Sequence, residues 1–149
     1  MMRIGFLRTA TAGVALAVGL SSLMIAGADP VADRQAAMKD VGQQMKDAAG
    51  LNSAATFDAA KAKTVMGNVA ADVKKAAALF PAGSGTDPKT LAAAKIWEDN
   101  ADFTKRLTEL TTLATEAGNA TTFEAYGPAF KKVGATCKSC HDIYRKKPA

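Results

Sequence analysis

The stretch "FEAYGPAFKKVGATCKSCHDIY", residues 123–144, decides the fold. Its apolar side chains recur at intervals of three and four, a spacing that places them on one face of an α-helix. They are Phe123, Tyr126, Phe130, Val133, Cys137, Cys140 and Tyr144. No alternation of period two, typical of a strand, competes with this pattern. The stretch therefore predicts a long amphipathic helix that needs other helices to cover its apolar face.

Three more segments show the same periodicity. Stretches rich in Gly, Pro, Asn and Ser separate the four segments at residues 49–56, 80–88 and 117–122. The apolar faces of the first three segments are Val31, Met38, Val41 and Met45; Phe57, Val65, Val69, Val73, Ala76 and Phe80; and Phe103, Leu107, Leu110, Leu113 or Ala114, and Ala117. Four amphipathic helices with short links predict an all-α fold, an antiparallel four-helix bundle.

Two helix boundaries leave alternatives open. Asp99 and Asn100 are the candidates to cap the third helix, because their side chains accept hydrogen bonds from free backbone amides. Pro128 lies inside the last apolar pattern, where a proline removes a backbone hydrogen bond. The last helix is therefore expected either to kink at Pro128 or to begin at Gly127-Pro128.

The N-terminus has the order of a secretory signal. Arg3 and Arg8 precede an apolar run at residues 12–25, which ends in Ala-Gly-Ala at residues 26–28. A spanning helix needs about 20 apolar residues, and this run is shorter and is interrupted by Gly and Ser. We therefore expect cleavage after residue 28 and no stable membrane insertion. The mature chain, residues 29–149, is expected to form one domain in a bacterial periplasm.

The charge of the chain gives no support for a nucleic-acid partner. Its formal net charge is +5, and +3 once Arg3 and Arg8 of the signal are removed. A bias this small differs from the concentrated basic surface that nucleic-acid recognition needs.

The sequence CKSCH, residues 137–141, contains both cysteines and the single histidine. On a helix, Cys137, Cys140 and His141 project from the same face. A structural zinc site needs four ligands, a thioredoxin-like dithiol accompanies a βαβ unit, and a disulfide across so short a loop adds little stability. Two thiols that add to the vinyl groups of one porphyrin, beside an imidazole that ligates its iron, satisfy the whole pattern. The motif therefore predicts one covalently attached haem c.

A C-x-x-C-H motif on the last of four helices resembles the class II c-type cytochromes, the cytochrome c' family with its low-spin relatives. Three stretches carry the resemblance, at residues 34–45, 79–103 and 134–145. The resemblance implies a four-helix bundle around the haem. It also implies thioether bonds through the two cysteines and a proximal iron ligand in the histidine.

The resemblance further implies roles for Arg34, Met38 and Arg145. Arg34 matches an arginine of the first helix that approaches a haem propionate; the alternative is a solvated surface charge. Arg145 follows His141 by one turn, where the family has a basic residue, although it also complements the helix dipole. Met38 stands where low-spin relatives supply a methionine ligand and high-spin relatives place a bulky residue over the iron. Its alternative role is core packing beside Val41.

No acid–base constellation or substrate motif accompanies the haem motif, so we expect an electron carrier rather than an enzyme. Its partners would be periplasmic redox proteins, met through an exposed haem edge and nearby lysines such as Lys131, Lys132 and Lys138. The alternative is a high-spin, five-coordinate protein that binds nitric oxide or carbon monoxide. Family members often form homodimers through the first two helices, which this sequence neither requires nor excludes.

Overall fold

The computed structural model describes residues 29–147. The α-helices of this part of the chain are α1 (Pro30–Ala49), α2 (Ala59–Ala76), α3 (Lys95–Glu98), α4 (Asn100–Gly118) and α5 (Phe123–Tyr144). A 3₁₀ turn continues α2 through Leu79. Between residues 29 and 147 there is no strand, only an isolated bridge between Ala92 and Arg145. The predicted all-α fold is confirmed, and the predicted signal at residues 1–28 lies outside the described residues.

Polar side chains set the starts of three of the four long helices. Asp29, Asp58 and Thr122 each accept a hydrogen bond from a backbone amide in the first turn of α1, α2 and α5. Such caps satisfy amides that have no partner within the helix. The sequence break at residues 117–122 therefore ends in the residue that caps the next helix, and the break at 49–56 lies two residues before the cap of α2.

Asp99, one of the two residues expected to cap the third long helix, is at the N-cap position of α4, but the expected side-chain hydrogen bond is absent. Its carboxylate instead lies 3.5 Å from the ammonium of Lys95, one turn earlier in α3. The short helix α3 thus supplies a cation that draws the carboxylate away from the start of α4.

Pro128 does not begin the last helix. Helix α5 begins at Phe123 after the Thr122 cap and continues through Pro128 to Tyr144. Pro128 lies in the second turn, where its missing N–H removes one helical hydrogen bond while the rest of the helix continues. The alternative start at Gly127-Pro128 is therefore wrong.

Helix packing leaves one side of the bundle open. Close packing joins α1 to α2, α2 to α4 and α4 to α5. Tyr126, which is fully buried, ties the start of α5 to the end of α1 through a 2.8 Å hydrogen bond from its hydroxyl to Ala48 O. The remaining core is largely alanine and valine with Met66. Further along α5, a cavity separates this helix from α1.

Candidate functional site

Helix α5 brings the three residues of the C-x-x-C-H motif to one cavity. Cys137, Cys140 and His141 all line it, as the helical spacing predicts. Both cysteines are free and half-buried, while His141 is exposed at the mouth. Two free thiols and an imidazole therefore face the same space.

The environment of the thiols argues against a dithiol redox centre. Burial raises the pKa of Cys137 above its ordinary value, and the nearby Cys140 raises it further. Burial also raises the pKa of Cys140, with Arg106 opposing the change. Cysteines that attack disulfides have a lowered pKa, because the thiolate is the nucleophile. These thiols are instead protonated at neutral pH.

His141 is suited to ligate iron through a neutral nitrogen. Partial burial lowers its pKa below the ordinary histidine value, and the positive charge of Arg145 lowers it further, while Asp142 acts in the opposite direction. A metal ligand must be the neutral imidazole. Between residues 29 and 147 no three His, Cys, Asp or Glu side chains form a group that could hold a bare metal ion.

The cavity has the size and polarity for a haem. Its volume is about 610 Å³, within the range of about 300 to about 1,000 Å³ typical of ligand sites. Most of its wall is apolar and comes from all five α-helices and the segment before α3. The apolar lining residues include Val41, Val73, Phe80, Leu91, Ile96, Phe103, Leu107 and Leu110. An apolar cavity with two thiols and an imidazole on one wall fits a covalently bound porphyrin.

Gly42 keeps part of this cavity open. It lies on α1 one turn after Met38 and lines the cavity, and a Cβ added there would meet no atom within 4 Å. Every larger residue would project into that space. The wall of α1 is therefore recessed opposite the helix that carries the thiols.

The charged groups of the cavity wall are all cationic. Arg34, Lys39 and Arg145 line it, and no carboxylate does among the described residues. A wall of this sign favours an anionic group, such as the propionates of haem, at the mouth of the cavity.

Arg34 reaches the cavity, but its guanidinium is bound to the loop that follows α2. The side chain is 4% exposed. It donates to Ser84 Oγ and Ser84 O, at 3.0 and 2.8 Å, and to Thr90 Oγ1. It also lies 5.3 Å from the ring centre of Phe80 and 5.9 Å from that of Trp97. The solvated surface charge considered from the sequence is therefore wrong, and a contact with a propionate stays a prediction.

Met38 is the only described methionine that lines the cavity. It is half-buried on α1, four residues after Arg34. Met66 is fully buried in the core, and Met45 packs against the core outside the cavity. The two roles considered for Met38, a ligand and a packing residue, both place it at this wall.

Arg145 lies at the mouth of the cavity, just after the last turn of α5. It is exposed, and its backbone forms the isolated bridge to Ala92. The bridge and a 2.9 Å hydrogen bond from Ala93 N to Tyr144 O fasten the end of α5 to the segment before α3. Arg145 is thereby held beside His141.

A polar cluster between α4 and α5 was not anticipated from the sequence. The hydroxyl of Tyr144 donates to Asp102 Oδ2 at 2.7 Å, and Arg106 Nε donates to the same oxygen at 2.5 Å. Tyr144 is buried and lines the cavity, so this cluster fixes the helix end that carries His141. The spacing of Asp102 and Arg106 by four residues was the only available signal.

The chain matches the family model described as "Cytochrome C'" over residues 29–145. It is 40% identical to cytochrome c' of Rhodopseudomonas palustris over 143 residues, 95% of this chain and 97% of that protein. It is 34% identical to cytochrome c-556 of Agrobacterium fabrum, covering 80% of this chain and 83% of that protein.

Solved structures agree with these sequence relatives. Cytochrome c' of Rhodopseudomonas palustris superposes with a TM-score of 0.75 at 36% identity, covering 83% of this chain and 100% of that chain. Cytochrome c' of Shewanella frigidimarina superposes with a TM-score of 0.72 at 35% identity, covering 80% of this chain and 96% of that chain. These matches account for the fold, the cavity and the C-x-x-C-H motif. The chain belongs to the cytochrome c' family, whose cofactor is covalent haem c.

Proposed function

We propose that this protein is an exported electron-transfer cytochrome that works in the periplasm and is not an enzyme. In this proposal haem c is attached through Cys137 and Cys140, with His141 and Met38 as its iron ligands. The bound haem supplies a one-electron Fe(III)/Fe(II) couple. The observation that carries the proposal is the position of Met38, which lines the same cavity as the motif on α5.

The thiols suit covalent attachment. Each thiol would add across one vinyl double bond of the porphyrin: the S–H bond and the π bond would break, a C–S bond and a C–H bond would form, and no oxidant would be needed. The raised pKa values of both cysteines keep these protons on sulfur. Arg34 and Arg145, on the cavity wall, would supply positive charge for the propionates.

A thioether and an imidazole together complete the coordination of the iron. If Met38 and His141 both held the iron in its two oxidation states, little would have to rearrange when one electron is gained or lost, which would suit a carrier. A thioether ligand also raises the reduction potential. The relatives include cytochrome c-556 proteins as well as cytochrome c' proteins, so the family comparison supports both a carrier and a gas-binding protein.

Gas binding is the second candidate function. A variant of cytochrome c' from Alcaligenes xylosoxidans, 26% identical to this chain with a TM-score of 0.70, was solved as a complex with nitric oxide. In that case Met38 would be a packing residue of the cavity wall, and the haem held by His141 would be free to bind nitric oxide or carbon monoxide.

Absorption spectra of the purified holoprotein distinguish the two functions. If Met38 is a ligand, the ferric spectrum is low-spin with a weak far-red band, and the ferrous protein binds carbon monoxide poorly. Met38→Leu removes the band and opens the site to carbon monoxide. Met45→Leu, outside the cavity, is the matched control and keeps both properties. A wild-type protein that is high-spin and binds carbon monoxide readily would overturn the carrier proposal.

Export and assembly are tested separately. The family match begins at Asp29, the first residue after the proposed cleavage site, which supports export. Within residues 29–147 no helix is long and apolar enough to cross a membrane. The intact mass of protein from a secreting host should equal residues 29–149 plus one haem.

We also propose that the protein forms a homodimer, because a cytochrome c' that is 29% identical to this chain shows ligand-controlled dimer dissociation. Sedimentation with and without carbon monoxide tests this proposal.

A further inference from the structure

Three segments of the chain meet at the mouth of the cavity. Gln35 on α1 donates to Lys89 O at 2.9 Å. In the tail after α5, Lys146 N donates to Leu91 O at 2.8 Å. These bonds hold α1, the loop before α3 and the tail in one continuous surface. We call it the rim surface, and its exposed side chains are Lys39, Lys89, Leu91, Arg145 and Lys146.

The positive charge of the rim surface is not neutralised within the protein. Among residues 29–147, no carboxylate lies within 4 Å of any of its four cationic groups, although five other basic side chains do form ion pairs. Two of the nearest carboxylates along the chain are engaged elsewhere, and a third, Asp40 beside Lys39, forms no ion pair with the residues that the structure describes. Asp142 pairs with Lys138 at 2.6 Å, and Asp87 accepts from the backbone amide of Lys89.

The sequence distribution of charge agrees with this surface. Residues 131–147 contain six of the basic residues and a single carboxylate. Residues 29–130 contain more carboxylates than basic residues, thirteen against eleven. The segment that carries the motif and the tail therefore has an excess of positive charge, and it contributes Arg145 and Lys146 to the rim surface. Positive charge of this kind steers an approaching anionic protein.

An apolar side chain lies in this cationic surface. Leu91 is 42% exposed and also lines the cavity. Transient protein interfaces commonly combine an apolar centre with a charged rim. Leu91 and Ile143 are the only exposed large apolar residues between residues 29 and 147, which is less apolar surface than a helix needs to lie in a lipid interface.

We propose that the rim surface is the docking site of an acidic redox protein, which contacts Leu91 and is oriented by Lys39, Lys89, Arg145 and Lys146. The proposal rests on the electron-transfer function proposed above, since the rim surrounds the mouth of the haem cavity. A partner docked there approaches the edge of the haem, and one electron passes between the two cofactors.

Binding to flavodoxin, a small acidic FMN protein, tests the surface apart from electron transfer. Ferric holoprotein is titrated calorimetrically with oxidised flavodoxin, a pair that exchanges no electron, at about 0.01 M ionic strength, where the Debye length is about 30 Å. The variant Lys39→Glu/Lys89→Glu should weaken binding about tenfold or more. The control Lys63→Glu/Lys74→Glu changes the net charge equally on exposed sites of α2 outside the cavity and should weaken it less than about threefold.

Two further variants separate the charge from the apolar contact. Lys146→Glu, in the tail, should weaken binding with no change inside the helices. Leu91→Ser should weaken binding several-fold while the dependence on salt stays as in the wild type, because no charge is altered. Equal losses in the rim and control double variants, or no binding of flavodoxin by the wild type, would overturn the proposal. So would binding to phosphatidylglycerol vesicles that exceeds binding to flavodoxin and is lost in the rim variant.

Stopped-flow reduction of the ferric holoprotein by flavodoxin hydroquinone tests the function on which the proposal rests. Each encounter transfers one electron from the flavin to the iron, and the rate constant should fall in the rim variant in proportion to binding. If flavodoxin binds at the rim surface but no electron is transferred, the carrier function is refuted while the docking surface is still supported. If electron transfer is rapid and equally fast in the rim and control variants, the carrier function is supported and the proposed docking surface is refuted.

Discussion

The guanidinium of Arg34 donates to both the side-chain oxygen and the main-chain oxygen of Ser84, at 3.0 and 2.8 Å, across 50 positions of sequence. Ser84 Oγ in turn donates to Pro81 O at 2.8 Å. One arginine on α1 therefore holds the loop after α2 in place. Because Leu91, further along this segment, lines the cavity, the contact stabilises a wall of the site as well as the fold.

Replacing Arg34 should destabilise the holoprotein. Arg34→Ala removes several hydrogen bonds from a charged donor and leaves the Thr90 hydroxyl, which is buried, without this partner. We expect the free energy of unfolding to fall by about 3 kcal/mol, measured by urea denaturation. Arg34→Lys should recover only part of the loss, because an ammonium cannot reproduce the planar fork.

Lys39→Ala is the matched control for this measurement. Lys39 lines the same cavity from the same helix but is exposed and makes no ion pair within the described chain. Its replacement should change the free energy of unfolding by less than about 0.5 kcal/mol. Equal losses for Arg34→Ala and Lys39→Ala would show that the loop does not depend on Arg34.

A second prediction concerns the contact between Gly85 and Trp97. A Cβ added at Gly85 would lie 2.5 Å from Trp97 Cζ3. Gly85→Ala therefore forces the indole away from Phe80 and Arg34, at a cost of about 1 to 3 kcal/mol. Urea denaturation measures the cost, and the fluorescence of Trp97, the single tryptophan, should change in the folded state.

Gly67→Ala provides the comparison for this substitution. Gly67 is an exposed position inside α2, and an added Cβ meets no atom within 4 Å. Alanine is the better helix former, so this variant should gain up to about 1 kcal/mol. If Gly85→Ala were as stable as the wild type, the loop would not be packed tightly against Trp97.

The sequence was sufficient to predict the helices and the motif because both depend on spacing along one chain. Residues at intervals of three and four share a helix face whatever surrounds them, so the stripe from Phe123 to Tyr144 and the grouping of Cys137 with His141 followed directly. Four apolar stripes with short links then left few arrangements other than a bundle.

The contacts of the loop after α2 could not be predicted in the same way. Serine, threonine and glycine between Pro81 and Thr90 are typical of any exposed loop, and nothing local shows that Arg34 binds there. The bond between Tyr144 and Asp102 likewise joins two helices whose relative rotation the sequence does not determine. The ion pair between Lys95 and Asp99 has a different cause: it forms because residues 95–98 are helical, and four residues are too few for a periodic pattern to predict that helix.

The attachment of haem should depend separately on the two cysteines. Cys137→Ala and Cys140→Ala are each expected to leave one thioether, and the double variant none, so that a denaturing gel strips its haem completely. Ser139→Ala, between them and exposed, is the control and should keep full haem staining. Intact mass then shows one haem per chain in the control. Haem retained on the gel by the double variant would refute both attachment sites.

The last prediction concerns the pH dependence that Asp102 gives to stability. Its hydrogen bond from Arg106, and then that from Tyr144, hold the pKa of this carboxyl below the ordinary aspartate value. A carboxylate whose pKa is lower in the folded than in the unfolded protein stabilises the fold above the unfolded value of about 3.9. This contribution is lost as the pH falls through the lower folded value. The wild type should therefore lose stability below about pH 4 more steeply than Asp102→Asn does.

Tyr144 gives the same cluster a second dependence of opposite sign. Its hydrogen bond to Asp102, with burial, raises the pKa of the phenol to about 12. Because the neutral phenol is favoured in the folded protein, its contribution is present below about pH 10 and is lost as the pH rises toward the folded value. Tyr144→Phe should remove this alkaline loss and part of the acid loss of Asp102. Urea denaturation of the holoprotein across the pH range measures both effects. Glu109→Gln, exposed on α4, is the control, and a profile for Asp102→Asn parallel to that of the wild type would contradict a role for the cluster.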